Sequence, residues 1–118
     1  MQKYTGLTHF FKAAKYSMQG LRAAFKYEAA FRHEVGAAII LIPLAFWLGK
    51  NKIEIALMVA SVLMVFAIEL LNSGLEAIVD RVGKEYHELS GRAKDLGSAA
   101  VFVAMVTCGL VWLIILLG

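Results

Sequence analysis

LGSAAVFVAMVTCGLVWLIILLG, residues 96–118, carries no charged side chain anywhere along its length. It exceeds the roughly 20 apolar residues that an α-helix needs to cross a hydrocarbon core about 30 Å thick. The stretch therefore reads as a transmembrane helix, and two more runs upstream read the same way. IALMVASVLMVFAIELLNSGLEAIV, residues 55–79, is interrupted only by Glu69 and Glu76. VGAAIILIPLAFWLG, residues 35–49, is short for a span, but Ala29, Ala30 and Phe31 lengthen it if Arg32 and Glu34 sit at the interface. Pro43 within this run predicts a kink, which membranes tolerate because neighbouring groups satisfy the freed carbonyl. Trp47 near its far end is placed as an interfacial aromatic anchor.

The composition agrees with three spans. Of the 118 residues 60% are hydrophobic and the mean hydropathy is +0.70, against roughly 45–50% apolar residues in an ordinary soluble domain. One domain is all the length allows. The opening MQKYTGLTHFFKAAKYSMQG lacks the continuous apolar stretch and cleavage site of a secretory signal, so it is expected to persist. Cys108, the sole cysteine, excludes an internal disulfide and reads as a small packing residue in the last span.

A net charge of +3 raises the question of nucleic acid, whose phosphates attract basic proteins. The distribution argues against that partner. Lys3, Lys12, Lys15, Arg22, Lys26 and Arg32 precede the first span's apolar run, only Lys50 and Lys52 lie between spans one and two, and Arg81, Lys84, Arg92 and Lys94 separate spans two and three. Basic residues mark the cytoplasmic side of membrane proteins. The amino terminus and the hydrophilic 80–95 connection are thus expected in the cytoplasm, in a multi-pass membrane protein.

Before the first span, Phe11, Ala14, Met18, Leu21 and Phe25 recur at helical intervals, while Lys12, Lys15, Gln19, Arg22 and Lys26 take another face. An amphipathic helix over about residues 8–26 follows. Its basic face suits an anionic leaflet, although the same pattern serves a helix packed on the protein's own core. The fold class is therefore an all-α membrane protein: this surface helix and transmembrane helices at about 29–49, 54–80 and 95–117.

Within the second span Glu69, Asn72, Glu76 and Asp80 follow at spacings of three, four and four, which align them along one stripe of a helix. A carboxylate inside a membrane is costly and usually marks a cavity, a partner or a function. Two such groups stacked along a helix can divide labour, the deeper one accepting a proton and the shallower one holding a hydrated cation. Magnesium is commonly bound through one or two carboxylates plus phosphate oxygens, and Lys84, Arg92 and Lys94 stand close enough in sequence to neutralise phosphate charge. A purely structural polar seam remains the alternative. No GxxxxGK[ST] loop or protein-kinase signature is present, and the residues alone do not distinguish a kinase from a proton-coupled transporter or a non-catalytic membrane subunit.

The segment ELLNSGLEAIVDRVGKEYHELSGRAKDLGSAAV, residues 69–101, resembles the prokaryotic diacylglycerol kinases, small integral-membrane lipid kinases. The likeness extends through KAAKYSMQGLRAAFKYEAAFRHE, residues 12–34, and the spacing between segments fits. The resemblance implies a homotrimer with active sites between subunits and transfer of the ATP γ-phosphate to the hydroxyl of diacylglycerol, giving phosphatidic acid. It implies Glu69 as the proton acceptor, with Asn72 as a supporting polar group, and Glu28 and Glu76 as holders of a divalent ion such as magnesium and of the nucleotide. Tyr16, Glu85, Tyr86, His87, Lys94 and Asp95 match nucleotide-contacting positions. His9 matches another, where the relatives carry arginine.

By the same resemblance the lipid is expected along Ala13, Ala14, Lys15, Tyr16, Ser17 and Met18, then Arg22, Ala23, Ala24 and Phe25, then Ala30, Phe31, Arg32, His33 and Glu34. Trp47, Leu48, Gly49, Lys50, Glu69, Ser98 and Trp112 extend the lipid path, while Ile55 replaces a polar lipid-facing residue. Undecaprenol is the alternative lipid substrate within the wider superfamily, and a proton-coupled transporter is the alternative from another class.

Overall fold

The computed structural model describes residues 6–83 and 87–118, and everything described between the short connections is helical. The order is α1 (Gly6–Tyr27), α2 (Ala29–Leu48), α3 (Lys52–Val82) and α4 (Glu88–Leu117). The last three are long and apolar enough to cross a membrane.

Glu28 alone forms the corner between α1 and α2, with extended angles of φ −112° and ψ 106°. Hydrogen bonding nevertheless runs through the corner, from the Glu28 N–H to the Ala24 carbonyl at 2.9 Å and from the Arg32 N–H to the Glu28 carbonyl at 3.2 Å. Carbonyls in the last turn of a helix lack intrahelical donors. Arg32 supplies them, its Nη1 donating to Phe25 O at 2.8 Å and Lys26 O at 3.0 Å. A cation there also complements the negative end of the α1 dipole. Phe31, in the first turn of α2, is buried against Phe66 of α3, with ring centroids 5.6 Å apart. These contacts fix the corner that carries Glu28.

At the opposite end of α2, Gly49 has to be small: a Cβ there would meet Ile55 Cγ1 at 2.5 Å and the Ala45 carbonyl oxygen at 2.9 Å. Asn51 then caps α3, its side chain accepting from Glu54 N at 2.9 Å, while Glu54 Oε1 accepts from Lys50 N at 2.9 Å. The Asn51 side chain is thus the N-cap, and the Glu54 carboxylate reaches past it to the N–H of the preceding residue. Loss of such a cap costs about 1 kcal/mol. Asn51→Ala is therefore expected to lower the unfolding free energy by about that amount in a denaturant titration. It should leave turnover unchanged, because Asn51 lies about 27 Å along the helix from Glu69.

Pro43 sits inside α2 without ending it. The hydrophilic connection is much shorter than its composition suggests. Helix α3 continues through Asp80 and Arg81 to Val82, and α4 begins at Glu88, where His87 Nδ1 accepts the Leu89 N–H at 3.0 Å as the cap. Polar side chains are compatible with helix once it leaves the bilayer, and an Arg92–Glu88 pair at 3.5 Å supports the first turns of α4.

The deepest packing lies between α3, α4 and the middle of α2. Met58, Ser61, Val62, Val65, Ala45, Ala38 and Ala104 are buried there. The Met58 carbonyl accepts from Ser61 Oγ at 2.8 Å and from Trp112 Nε1 at 3.2 Å, and Ser61 Oγ lies 3.4 Å from Cys108 Sγ. Large apolar side chains such as Ile39, Phe46 and Phe102 remain more than 60% exposed on the single chain. That is the reverse of a water-soluble core and suits helices whose outer faces meet lipid or other helices.

Candidate functional site

Glu69, Asn72, Glu76 and Asp80 all lie within the unbroken helix α3, so the stripe inferred from their spacing exists. Asn72 Nδ2 donates to Glu76 Oε1 at 3.0 Å. One turn further on, Asp80 Oδ1 meets Lys94 Nζ at 2.6 Å, joining the end of α3 to the second turn of α4. Lys94 also feels the charge of Glu76. At the deeper end, both carboxyl oxygens of Glu34 are enclosed without a hydrogen-bond partner, and Glu69 is the acidic group that faces them across α2 and α3. Four carboxyl groups, an amide and an ammonium are thus strung along one side of α3, from the apolar interior to the helix end.

Three cavities among the described residues lie around helices α1 to α4. The largest, about 730 Å³, lies between α1 and α3 and is lined by Ser17, Gly20, Leu21, Ala23, Ala24, Tyr27, Glu28, Leu70, Ser73, Gly74 and Ala77. A second of about 480 Å³ lies on another side of α1, against Leu21, Arg22, Phe25, Lys26, Phe31, Val35 and Phe66. A third of about 160 Å³ lies beneath Glu34, among Ala37, Ala38, Leu41, Val62, Val65, Phe66, Met105 and Cys108. All three are mostly apolar. The first carries a carboxylate at the helix corner, the second cationic side chains, and the third a carboxyl at its mouth.

The residues singled out from the sequence are distributed as follows. Ser17, Ala23, Ala24 and Glu28 line the first groove, whereas Arg22, Phe25 and Phe31 line the second. Ala13, Ala14, Lys15, Tyr16, Met18 and His9 lie on exposed parts of α1, and Ala30, Arg32 and His33 on exposed positions of the first turns of α2. Trp47, Leu48, Gly49 and Lys50 lie at the other end of α2, about 27 Å from Ala30 along the axis. Trp112 is engaged on the Met58 carbonyl. His87 serves as the α4 cap, and Asp95 and Ser98 are exposed on α4. Glu85 and Tyr86 lie outside the described residues, as does Lys84.

Three contacts between helices go beyond what spacing along one helix gives. Asp80 was visible in the stripe, but its partner Lys94 is distant in sequence. Glu34, expected along the lipid, also faces Glu69. Gly97 stands against Asn72, where a Cβ would fall on the amide oxygen and lie 3.1 Å from Asn72 Cγ.

A divalent cation can be tested against these residues. Glu28 lines the large groove with Ser73, Gly74 and Ala77, and Glu76 is exposed on the same helix α3. Neither carboxylate forms an ion pair among the described residues. Nor do three or more His, Cys, Asp or Glu side chains come together there as a metal cage. Two available carboxylates without a cage suit magnesium delivered on phosphate oxygens, since that ion keeps water and takes few protein ligands.

Comparison with known proteins gives this arrangement its context. The prokaryotic diacylglycerol kinase family is matched over residues 15–116. A diacylglycerol kinase of Haemophilus influenzae is 63% identical over 112 residues, covering 95% of each chain. One of Escherichia coli K12 is 52% identical over 112 residues, covering 95% of this chain and 92% of its own. One of Helicobacter pylori is 38% identical over 110 residues, covering 93% and 86%. With a family match that takes in the acidic stripe, the α1–α2 corner and the Lys94 turn together, the chain belongs to the prokaryotic diacylglycerol kinase family.

Proposed function

We propose that this protein transfers the γ-phosphate of ATP to the hydroxyl of 1,2-diacylglycerol, producing phosphatidic acid and ADP. The observation that carries the reading is the polar stripe on α3, which begins beside an apolar interior suited to a lipid and ends at Lys94, suited to phosphate. Relatives that share nearly the whole chain and bear the name diacylglycerol kinase support the same substrate.

The hydroxyl oxygen attacks the γ-phosphorus, the bond from that phosphorus to the β–γ bridging oxygen breaks, and the hydroxyl proton passes to Glu69. ADP leaves with the bridging oxygen. Glu28 and Glu76 would hold a divalent cation, which would offset the phosphate charge. Lys94 adds a positive charge on the same side, and Asn72 orients Glu76. Tyr16, Glu85, Tyr86, His87 and Asp95 contact the nucleotide, and His9 stands at that end of α1. Positioning and electrostatics supply most of the acceleration, as in phosphoryl transfer generally.

Helix α1 lies at the headgroup boundary as an amphipathic element, its lysines toward anionic headgroups and its exposed phenylalanines toward the acyl chains. Three copies assemble, with sites between subunits, and this covers apolar helix faces left open on one chain. The basic amino-terminal part and the α3–α4 connection face the cytoplasm, where ATP is available.

The direct test is to purify the chain in mixed micelles, supply magnesium and ATP, and offer diacylglycerol and undecaprenol in parallel. Phosphatidic acid is the expected product, with little phosphorylation of undecaprenol. Preferential phosphorylation of undecaprenol would reassign the substrate, and the absence of lipid-dependent ATP consumption would remove the kinase reading.

A further inference from the structure

The Asn72 side chain has one end explained and the other not. Its Nδ2 donates to Glu76 Oε1 at 3.0 Å, but its Oδ1 is buried with no hydrogen-bond partner. A carboxylate can only accept, so the amide has to present nitrogen to Glu76 and oxygen to the opposite side. That side is the seam between α3 and α4, where Oδ1 comes up against Gly97. Buried amide oxygens are normally paired, and here the neighbour is a bare Cα. Such Cα–H groups at helix–helix contacts are weakly polar and accommodate a carbonyl oxygen. A side chain at position 97 would displace the amide, since its Cβ would clash with Oδ1 and lie 3.1 Å from Asn72 Cγ, with Leu75 Cδ2 in contact at 3.7 Å.

We propose that Gly97 is a positioning residue, whose missing side chain seats the Asn72 amide so that its nitrogen is held on Glu76 and the Glu76 carboxylate is aimed for its ligand. The proposal rests on the reading of Glu76 as a carboxylate that holds a divalent cation. Glu76 itself is exposed, so without a fixed donor beside it the carboxylate would sample many rotamers. Asn72 is fixed because it is wedged in the seam, and it fits the seam because residue 97 is glycine. A glycine needed only for close helix packing would affect assembly and all kinetic constants alike. A glycine that acts through Asn72 and Glu76 affects the cation and the nucleotide it carries, and spares the lipid.

The test uses the full chain in micelles, with Mn2+ and a non-hydrolysable ATP analogue, and reads bound manganese by electron paramagnetic resonance. Gly97→Ala is expected to weaken manganese binding on the order of 10-fold, as loss of an outer hydrogen bond does for metal ligands. The KM for Mg·ATP should rise in parallel while the KM for diacylglycerol stays unchanged. In an Asn72→Ala background, where no amide remains to be displaced, Gly97→Ala should add nothing further. Wild-type manganese binding in Gly97→Ala, or an equal additional loss in the Asn72→Ala background, overturns the proposal. Glu76→Gln separates the two levels. If it weakens binding and Gly97→Ala does not, only the positioning role falls, whereas unchanged binding in Glu76→Gln removes the cation reading and this proposal with it. Should Gly97→Ala alone fail to assemble, recovery of assembly in the double variant supports the seating, and continued failure overturns it.

Discussion

Replacing Glu69 by glutamine is expected to reduce turnover by about 10²- to 10⁴-fold, the range a positioned general base contributes, while the KM for ATP stays near its original value. Glutamine keeps the size and much of the polarity of glutamate, so the half-buried site on α3 and its contact with Glu34 should survive. What it loses is the ability to take the proton of the lipid hydroxyl. Glu69→Asp makes a sharper comparison, because it keeps the carboxyl and withdraws it by one methylene. A displacement of about 1 Å at a reacting group costs on the order of 10²-fold, so the aspartate variant should fall between wild type and Glu69→Gln. Steady-state kinetics on preparations matched for oligomeric state would decide. Near-normal turnover in Glu69→Gln would remove its role as base, and Glu34, the other acidic group at that depth, would be the next residue to change.

The helices were legible because a bilayer constrains every residue of a span. Residues 96–118 admit no charge, and no other assignment accommodates such a run. The ends were less legible for the same reason. Hydropathy records where the chain leaves the hydrocarbon, whereas helix continues until a residue breaks it. The second helix is expected to end at about residue 80, yet α3 runs on through Arg81 and Val82 and stops beside Gly83. Glu88 to Asp95 is likewise polar but helical, because His87 provides a cap and Glu88 pairs with Arg92.

The candidate site shows a similar division. Spacing along one helix is enough to place Glu69, Asn72, Glu76 and Asp80 on a common stripe. Contacts between helices need tertiary packing, so the Asp80–Lys94 pair, the approach of Glu34 to Glu69 and the seating of Asn72 on Gly97 could not be read from intervals. Gly97 does carry a partial signal, since it opens a run of small residues, Gly97 to Ala100, of the kind that allows close helix approach. The α1 residues expected along the lipid also divide between cavities. Residues that look continuous in sequence, Ser17 to Phe25, turn successively to two grooves on different sides of α1, because each residue of a helix rotates by about 100° from the last.

Lys94→Met should have the next largest effect, and the nature of its partner says where to look for it. Lys94 and Asp80 are in close contact at 2.6 Å, but both side chains are substantially exposed, at 44% and 64%. An ion pair in that setting contributes little to stability, so the variant should unfold at nearly the wild-type denaturant concentration. A positive charge aimed at a transferring phosphoryl group is worth far more, because it acts on charge that moves during the reaction. Removing one such electrostatic donor typically costs about 10²- to 10³-fold in kcat, and that is the loss expected here. Lys94→Arg keeps the charge but replaces a compact ammonium with a planar fork, and it should retain intermediate activity. Asp80→Asn provides the internal control. It releases Lys94 from its only ion pair among the described residues without removing the ammonium, so its effect should fall on nucleotide KM more than on kcat. If Lys94→Met and Asp80→Asn instead lost stability together and kept their turnover, the pair would be a strut between α3 and α4, and the phosphate would have to be met by another cation.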